Sequence, residues 1–287
     1  MKTILVPTDF SKNAQNALKY ALAYAEKTKS KILLYHSYIN PTSELILPFS
    51  NLHVGQSEAK QNAEEQMIKL SASVLKTSPK ARFRWAVEPG LTVDNIIRFA
   101  KENKADLLIM GTTGQGAIAS SIMGSTTASI ISEAPCSVLA IPPNAKFESI
   151  DTVIIATDPE NKNVKAIVKS AEFAKLHKAN LSLVYIQDLE YFDSDKALKN
   201  MVSSVKTQSG YRNISYAIQH GTDVVSGLDA YVKKEKPNVL AMMTHERKFP
   251  EMLWNPSRTK AISYHTTIPL LVLHPGFAKK AAVKKKK

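Results

Sequence analysis

Asp106-Leu107-Leu108-Ile109-Met110-Gly111-Thr112-Thr113-Gly114, followed nine residues later by Gly124-Ser125-Thr126-Thr127, reads as an apolar strand, a glycine-rich loop and a helix start. Ala128-Ser129-Ile130-Ile131 continues the helical run. These are the parts of a phosphate cradle. Glycine lets the backbone approach an anion closely. Free N–H groups and the helix dipole at an N-terminus favour negative charge. Ser125, Thr126 and Thr127 add hydroxyl donors. A plain strand–turn–helix connection would also use glycine, but the third glycine and the hydroxyl triplet favour a phosphate site. The stretch is not a Walker A loop, because Gly111 to Thr127 holds no Lys or Arg.

Working outward, the chain is one unit written twice. Ile4-Leu5-Val6-Pro7-Thr8-Asp9 recurs as Ile154-Ile155-Ala156-Thr157-Asp158-Pro159. Gly90-Leu91-Thr92-Val93 recurs as Gly221-Thr222-Asp223-Val224, and Leu107-Leu108-Ile109-Met110 as Val239-Leu240-Ala241-Met242. Pro135-Cys136-Ser137-Val138-Leu139 recurs as Pro269-Leu270-Leu271-Val272-Leu273, in the same order. A boundary is expected near Pro142-Pro143-Asn144-Ala145-Lys146.

Each half alternates strand and helix. In the first, strands are expected at about 3–8, 31–37, 81–87, 106–110 and 137–142, rich in Val, Ile and Leu as strands buried on both faces are. Ser11 is expected to cap a first helix bearing Ala14, Leu18, Ala21 and Ala25. Ala63, Met67, Leu70 and Val74 mark a second helix. Thr92 is expected to cap a third, bearing Val93, Ile96, Ile97 and Ala100. This alternation implies a parallel sheet with right-handed crossovers. Ligands of such sheets bind beyond the strands' carboxyl ends, where the strand order reverses. Asp9 ends the first strand and Gly111 the fourth, so adjacency of those strands would bring them together. Asp9 then either accepts hydrogen bonds from a nucleoside or caps a helix.

The length of 287 residues allows two ordinary domains. No run is long enough to span a bilayer. Pro7 and Asp9 interrupt the first apolar run too early for a signal peptide. One cysteine, Cys136, leaves no internal disulfide, and a cytoplasmic location is the expectation. The net charge of +13 is unevenly spread. Residues 1–148 hold 16 basic and 12 acidic residues, residues 149–278 hold 16 and 13, and six lysines lie beyond. The folded parts are thus only mildly basic, which argues against nucleic acid as a partner. The lysine tail reads as a solvated, disordered end. Trp85 and Trp254 read as packing residues. The Pro-containing apolar stretch from Ile39 to Gly55 either covers the nucleotide site or docks on the second copy.

Val6-Pro7-Thr8-Asp9-Phe10-Ser11 together with Gly111-x-x-Gly114-x9-Gly124-Ser125 resembles the universal stress protein family. The resemblance covers nearly the whole chain as two tandem copies. It implies α/β architecture: two doubly wound, Rossmann-like parallel sheets of five strands, each in order 3-2-1-4-5. It implies a first domain at 1–146, a degenerate second at 149–276, and a basic tail at 277–287. It also implies ATP or another adenine nucleotide, with Mg2+, as the ligand of the first copy. On that pattern Thr8 and Asp9 face the nucleoside. Ser37 meets adenine through its backbone where the family typically has valine, and Met110 flanks base or ribose. Gly111, Thr113, Gly114, Gly124, Ser125 and Thr126 hold the phosphates. In the second copy Met243, Glu246 and Pro256 replace the three glycines, so the cradle is lost there. His245, Arg247, Arg258 and Lys260 read as a solvated polar loop, with a different anion site as the alternative.

The function that follows is a cytoplasmic ATP-binding stress-response sensor or adaptor. Its copies are expected to pair through their fifth strands as an intramolecular pseudo-dimer, with further homo-oligomers and a protein partner also in view. A slow ATPase or nucleotidyl-transfer enzyme is the alternative, kept open by Lys12, a cation that could reach the site from the first helix. A ligand-free scaffold is the third.

Overall fold

The structure is a computed structural model and describes residues 2–39, 52–114, 123–159, 164–187, 194–221, 223–243 and 268–274. The stretch 40–51, the second-copy loop from Thr244 through Lys260, and the lysine tail lie outside the described residues.

The first half runs β1 (Thr3–Pro7), α1 (Lys12–Thr28), β2 (Lys31–Tyr38), α2 (Leu52–Thr77), β3 (Phe83–Pro89), α3 (Thr92–Glu102), β4 (Leu107–Gly111), α4 (Ser125–Glu133) and β5 (Ser137–Ile141). The second runs β6 (Thr152–Ala156), α5 (Lys165–His177), β7 (Asn180–Gln187), α6 (Ser194–Ser209), β8 (Ile214–His220), α7 (Val224–Glu235), β9 (Val239–Met243) and β10 (Leu270–Leu273). The halves do not form separate sheets. One ten-stranded sheet has the order β3-β2-β1-β4-β5-β10-β9-β6-β7-β8. Each half keeps the expected 3-2-1-4-5 order, and within each all pairs are parallel. The seam is antiparallel, with Leu270 opposite Ala140, Leu271 opposite Leu139 and Val272 opposite Val138. All six residues are inaccessible to solvent.

Period-two alternation divides the core. Ile4, Val6, Leu139 and Leu271 face one apolar layer, covered by α1, α2, α5 and α6. Leu5, Val138, Ala140 and Val272 face the other, covered by α3, α4 and α7. On α2, Ala63, Met67 and Val74 are buried and Leu70 packs beside them, as the helical spacing predicts. Ser11 caps α1, its Oγ accepting the Ala14 amide at 3.1 Å. Thr92 does not cap α3. It is already the first helical residue, and Leu91 occupies the cap with no side-chain bond. The turn is tied from downstream instead, by Asn95 Nδ2 donating to Pro89 O at 2.9 Å and to Ser37 Oγ at 3.0 Å. Cys136 is buried, which pushes its thiol up to about 12 and suits its reading as a small hydrophobe. Among the described residues no helix is long and apolar enough to cross a membrane.

Beside the seam, an aromatic cluster bridges the halves. Phe147 stands edge-on to Tyr20 at 5.1 Å and to Tyr24 at 5.9 Å. Tyr24 stacks on Phe173, and its hydroxyl lies 3.2 Å from His177 Nε2. Burial, with Lys27 and Lys2 adding to it, lowers the His177 pKa from 6.5 to about 4. Between those values the unfolded chain binds the proton more readily than the folded one. The stability His177 contributes is complete above about 6.5 and drains away as pH falls toward about 4. Denaturation midpoints are expected to fall over that interval, and His177→Phe should flatten the decline. An equal decline in the variant would assign it to other groups.

Candidate functional site

The β1–α1 turn sits where strand order reverses, because β1 pairs with β2 on one side and β4 on the other. Its geometry is fixed by short polar bonds. The Thr8 amide donates to Tyr35 O at 2.8 Å, and Thr8 Oγ1 accepts the Phe10 amide at 3.0 Å. Asp9 Oδ1 accepts the Ser11 amide at 3.0 Å. Phe10 closes the turn in the left-handed region at φ 62. His36 Nδ1 lies 2.7 Å from Thr8 O. A carbonyl oxygen only accepts, so Nδ1 carries the proton, and the ring lies against Phe10 at 4.5 Å.

The glycine loop rises beside this turn. The Thr112 amide donates to Ile141 O at 3.0 Å, and the Gly124 amide to Thr112 O at 2.8 Å. Asn13, in the first turn of α1, donates its side-chain amide to Thr113 Oγ1. A Cβ on Gly111 would stand 3.2 Å from Asn13 O, and one on Gly114 only 2.7 Å from Asp9 Oδ2. The two glycines therefore allow β4's loop to close on the β1–α1 turn. At Gly124 an added Cβ would meet nothing closer than 3.7 Å, so that glycine is not required by packing. It is the N-cap of α4, with extended φ and ψ and no side-chain cap. Glycine at the cap offers the first amides of α4 no side-chain acceptor of its own at the mouth of the cleft.

Thr8, Asp9, Ser37, Met110, Gly111, Thr113, Gly114, Gly124, Ser125 and Thr126 all line one cleft of about 460 Å³. Ser125 and Thr126 are exposed at its lip. Thr127 is different. It is buried and its hydroxyl donates to Gly111 O at 3.0 Å, so it braces the loop and is not available as the third donor of the triplet. Ser37 Oγ is engaged with the β3–α3 turn, donating to Gly90 O at 3.0 Å. Lys12 is exposed and does not line the cleft. Among the described lining residues there is no Lys or Arg, and Asp9 is the sole carboxylate. No cluster of metal-ligating side chains occurs among the described residues. Sequence reasoning missed His36, Ile96 and Tyr35 in the lining, and Asn13 behind it. The signal for His36 was its place beside Ser37 at the carboxyl end of β2.

The family model described as "Universal stress protein family" matches residues 1–142. A universal stress protein of Thermus aquaticus is 32% identical over 140 residues, 49% of this chain and 98% of that protein. The chain belongs to the universal stress protein family. A second family relative, from Methanocaldococcus jannaschii, is 29% identical over 147 residues, 49% of this chain and 81% of that one. The crystal structure of a universal stress protein from Archaeoglobus fulgidus superposes with a TM-score of 0.73 at 18% identity, over 96% of this chain and 98% of that one. That likeness extends the shared fold to both halves.

The second half of this universal stress protein repeats the frame but not the turn chemistry. Thr157 matches Thr8, its amide donating to Val184 O at 2.9 Å, but its hydroxyl turns to the Met201 sulfur at 3.3 Å. Counting from these bonds, Ile186 stands where the first half has Ser37, and Gly227, whose amide donates to Asp223 O as that of Asn95 does to Leu91 O, stands where it has Asn95. A Cβ on Gly227 would fall 2.5 Å from Ile186 Cγ2, so the isoleucine packs directly onto the glycine.

Thr127→Val should cost about 1–2 kcal/mol, since it removes the buried donor to Gly111 O. Urea denaturation measures this; an unchanged midpoint would show that the bond contributes nothing.

Proposed function

We propose that the first half binds ATP, or another adenine nucleotide, and that the protein is a nucleotide-responsive stress sensor or adaptor of the cytoplasm. The observation that carries this is the closure of Gly114 on Asp9 beside the uncapped start of α4. Backbone amides at a helix N-terminus, with glycines at Gly111, Gly114 and Gly124 that permit close approach, suit a polyphosphate. Gly111, Thr113, Gly114, Gly124, Ser125 and Thr126 would hold the phosphates. Thr8, Asp9, Ser37 and Met110 would meet the nucleoside, with His36 and Ile96 beside them. A cleft of about 460 Å³ falls in the size range of small-ligand sites, roughly 300–1,000 Å³. Mg2+ would ride on the phosphates with few protein ligands, as that ion commonly does. Phosphoryl transfer draws on cationic stabilisation, which the described lining lacks, and this favours binding over catalysis.

The proposed division is a nucleotide-binding domain at 1–146 and a second, non-binding domain at 149–276. Ile186 and the Thr157–Met201 contact support it, because the second half offers aliphatic and sulfur surface where the first offers hydroxyls.

Titration calorimetry of the full chain with ATP tests both points. One equivalent is expected to bind. Gly114→Val should remove all of it while circular dichroism stays native, because the branched side chain would press on Asp9. A folded variant that binds ATP normally would refute the phosphate site. A variant retaining one of two equivalents would place a second site in the other half.

A further inference from the structure

The ten-stranded sheet ends at β3, and among the described residues nothing pairs with the outer side of that strand. Charged side chains, proline and bulges commonly blunt such edges; β3 carries Arg84, Glu88 and Pro89, but no bulge interrupts its register with β2. Here Trp85 lies mid-strand, 38% exposed. It shares a face with Phe83 and Val87, which pack on the layer under α2. Ile68 and Leu75 on α2 are 55% and 53% exposed and stand seven residues apart, on one side of the helix. In a right-handed β2–α2–β3 crossover with Ala63, Met67 and Val74 against the sheet, that side overhangs the free edge of β3. Edge backbone and overhanging apolar side chains thus form one continuous surface.

The sequence of β3 fits a second copy of itself. The Arg82 carbonyl and the Gly90 amide turn inward to β2. Alternation then turns the N–H and C=O groups of Phe83, Trp85 and Val87 outward. We propose that two chains associate by antiparallel pairing of β3 with β3, about a two-fold axis at Ala86. In that register Trp85 lies opposite Val87 of the second copy, and the pair exchanges both backbone hydrogen bonds, twice over. An aromatic opposite a β-branched residue is a favourable cross-strand pair. Arg84 lies opposite Glu88 at the closer, non-hydrogen-bonded positions. The Arg84 side chain makes no hydrogen bond or ion pair among the described residues. Glu88 uses Oε2 for both Tyr35 and Arg98, leaving Oε1 for Arg84 of the second copy. Ala86 meets its own mate at the axis, where a small residue suits the short Cα separation. Pro89 ends the pairing by lacking a donor. The result is a closed dimer with an isologous interface.

Sedimentation equilibrium of the full chain is expected to give twice the monomer mass of 31.6 kDa. Arg84→Glu puts two like-charge pairs across the axis and should weaken the dimer roughly tenfold. Ala86→Cys, in a Cys136→Ser background, should give an interchain disulfide on mild oxidation, since about 4.5 Å between Cα atoms is within bonding range. Circular dichroism verifies that both variants are folded. A wild-type chain that stays monomeric over the whole concentration range overturns the proposal. So does a dimer that is insensitive to Arg84→Glu and does not cross-link in the Ala86→Cys variant, which would place the interface elsewhere.

Discussion

β1 and β4 lie side by side although three helices and two strands separate them in the chain. Building outward from β1, the chain first adds strands on one side and then crosses back to add β4 on the other. Helices consequently cover both faces, and a crevice opens between the turns that leave β1 and β4. The glycine loop and the Thr8–Asp9 turn meet only there. Gly111 and Gly114 make the meeting close, since a Cβ on either would press on Asn13 or Asp9. The site is a by-product of strand order, refined by two positions where side chains had to be absent.

Much of this was legible in the sequence because it rests on local pattern. Apolar runs of Val, Ile and Leu marked the strands, and the stripe of Ala63, Met67 and Val74 marked the buried side of α2. The repeat order disclosed two halves of the same topology. What escaped depended on which atom reaches which. Thr92 looked like a cap by residue type, yet the helix starts one residue too early for its hydroxyl to serve. Thr127 looked like a third surface hydroxyl, but the helix turn that exposes Ser125 and Thr126 rotates it inward onto Gly111. Asn13 and His36 carried no motif, and their roles come from tertiary contacts across β1. The joining of the halves through β5 and β10 came from the family resemblance and not from the apolar pattern, because the side chains of those strands are satisfied equally by any flanking strand.

The two halves show how a duplicated frame can part company in chemistry while conserving volume. Ser37 bonded to Asn95 in one half becomes Ile186 against Gly227 in the other. Bulk moves from helix to strand, the helix still packs, and a hydroxyl disappears from the crevice. Close-packed interiors tolerate such exchanges better than net gains or losses. Selection on packing alone would not notice the swap.

The antiparallel seam has a directional consequence. Parallel strands of one half all point the same way, and the reversal between β5 and β10 points those of the other half oppositely. The carboxyl ends of β1 and β4 therefore open at one rim of the sheet, and those of β6 and β9 at the opposite rim. No small ligand can touch both crevices at once. What joins the two rims is the strands themselves, through a seam of six solvent-inaccessible side chains and the Tyr24–Phe147–Phe173 cluster beside it. The molecule is double-ended: the crevice proposed for the nucleotide faces one way, and the corresponding strand ends of the second half face the other.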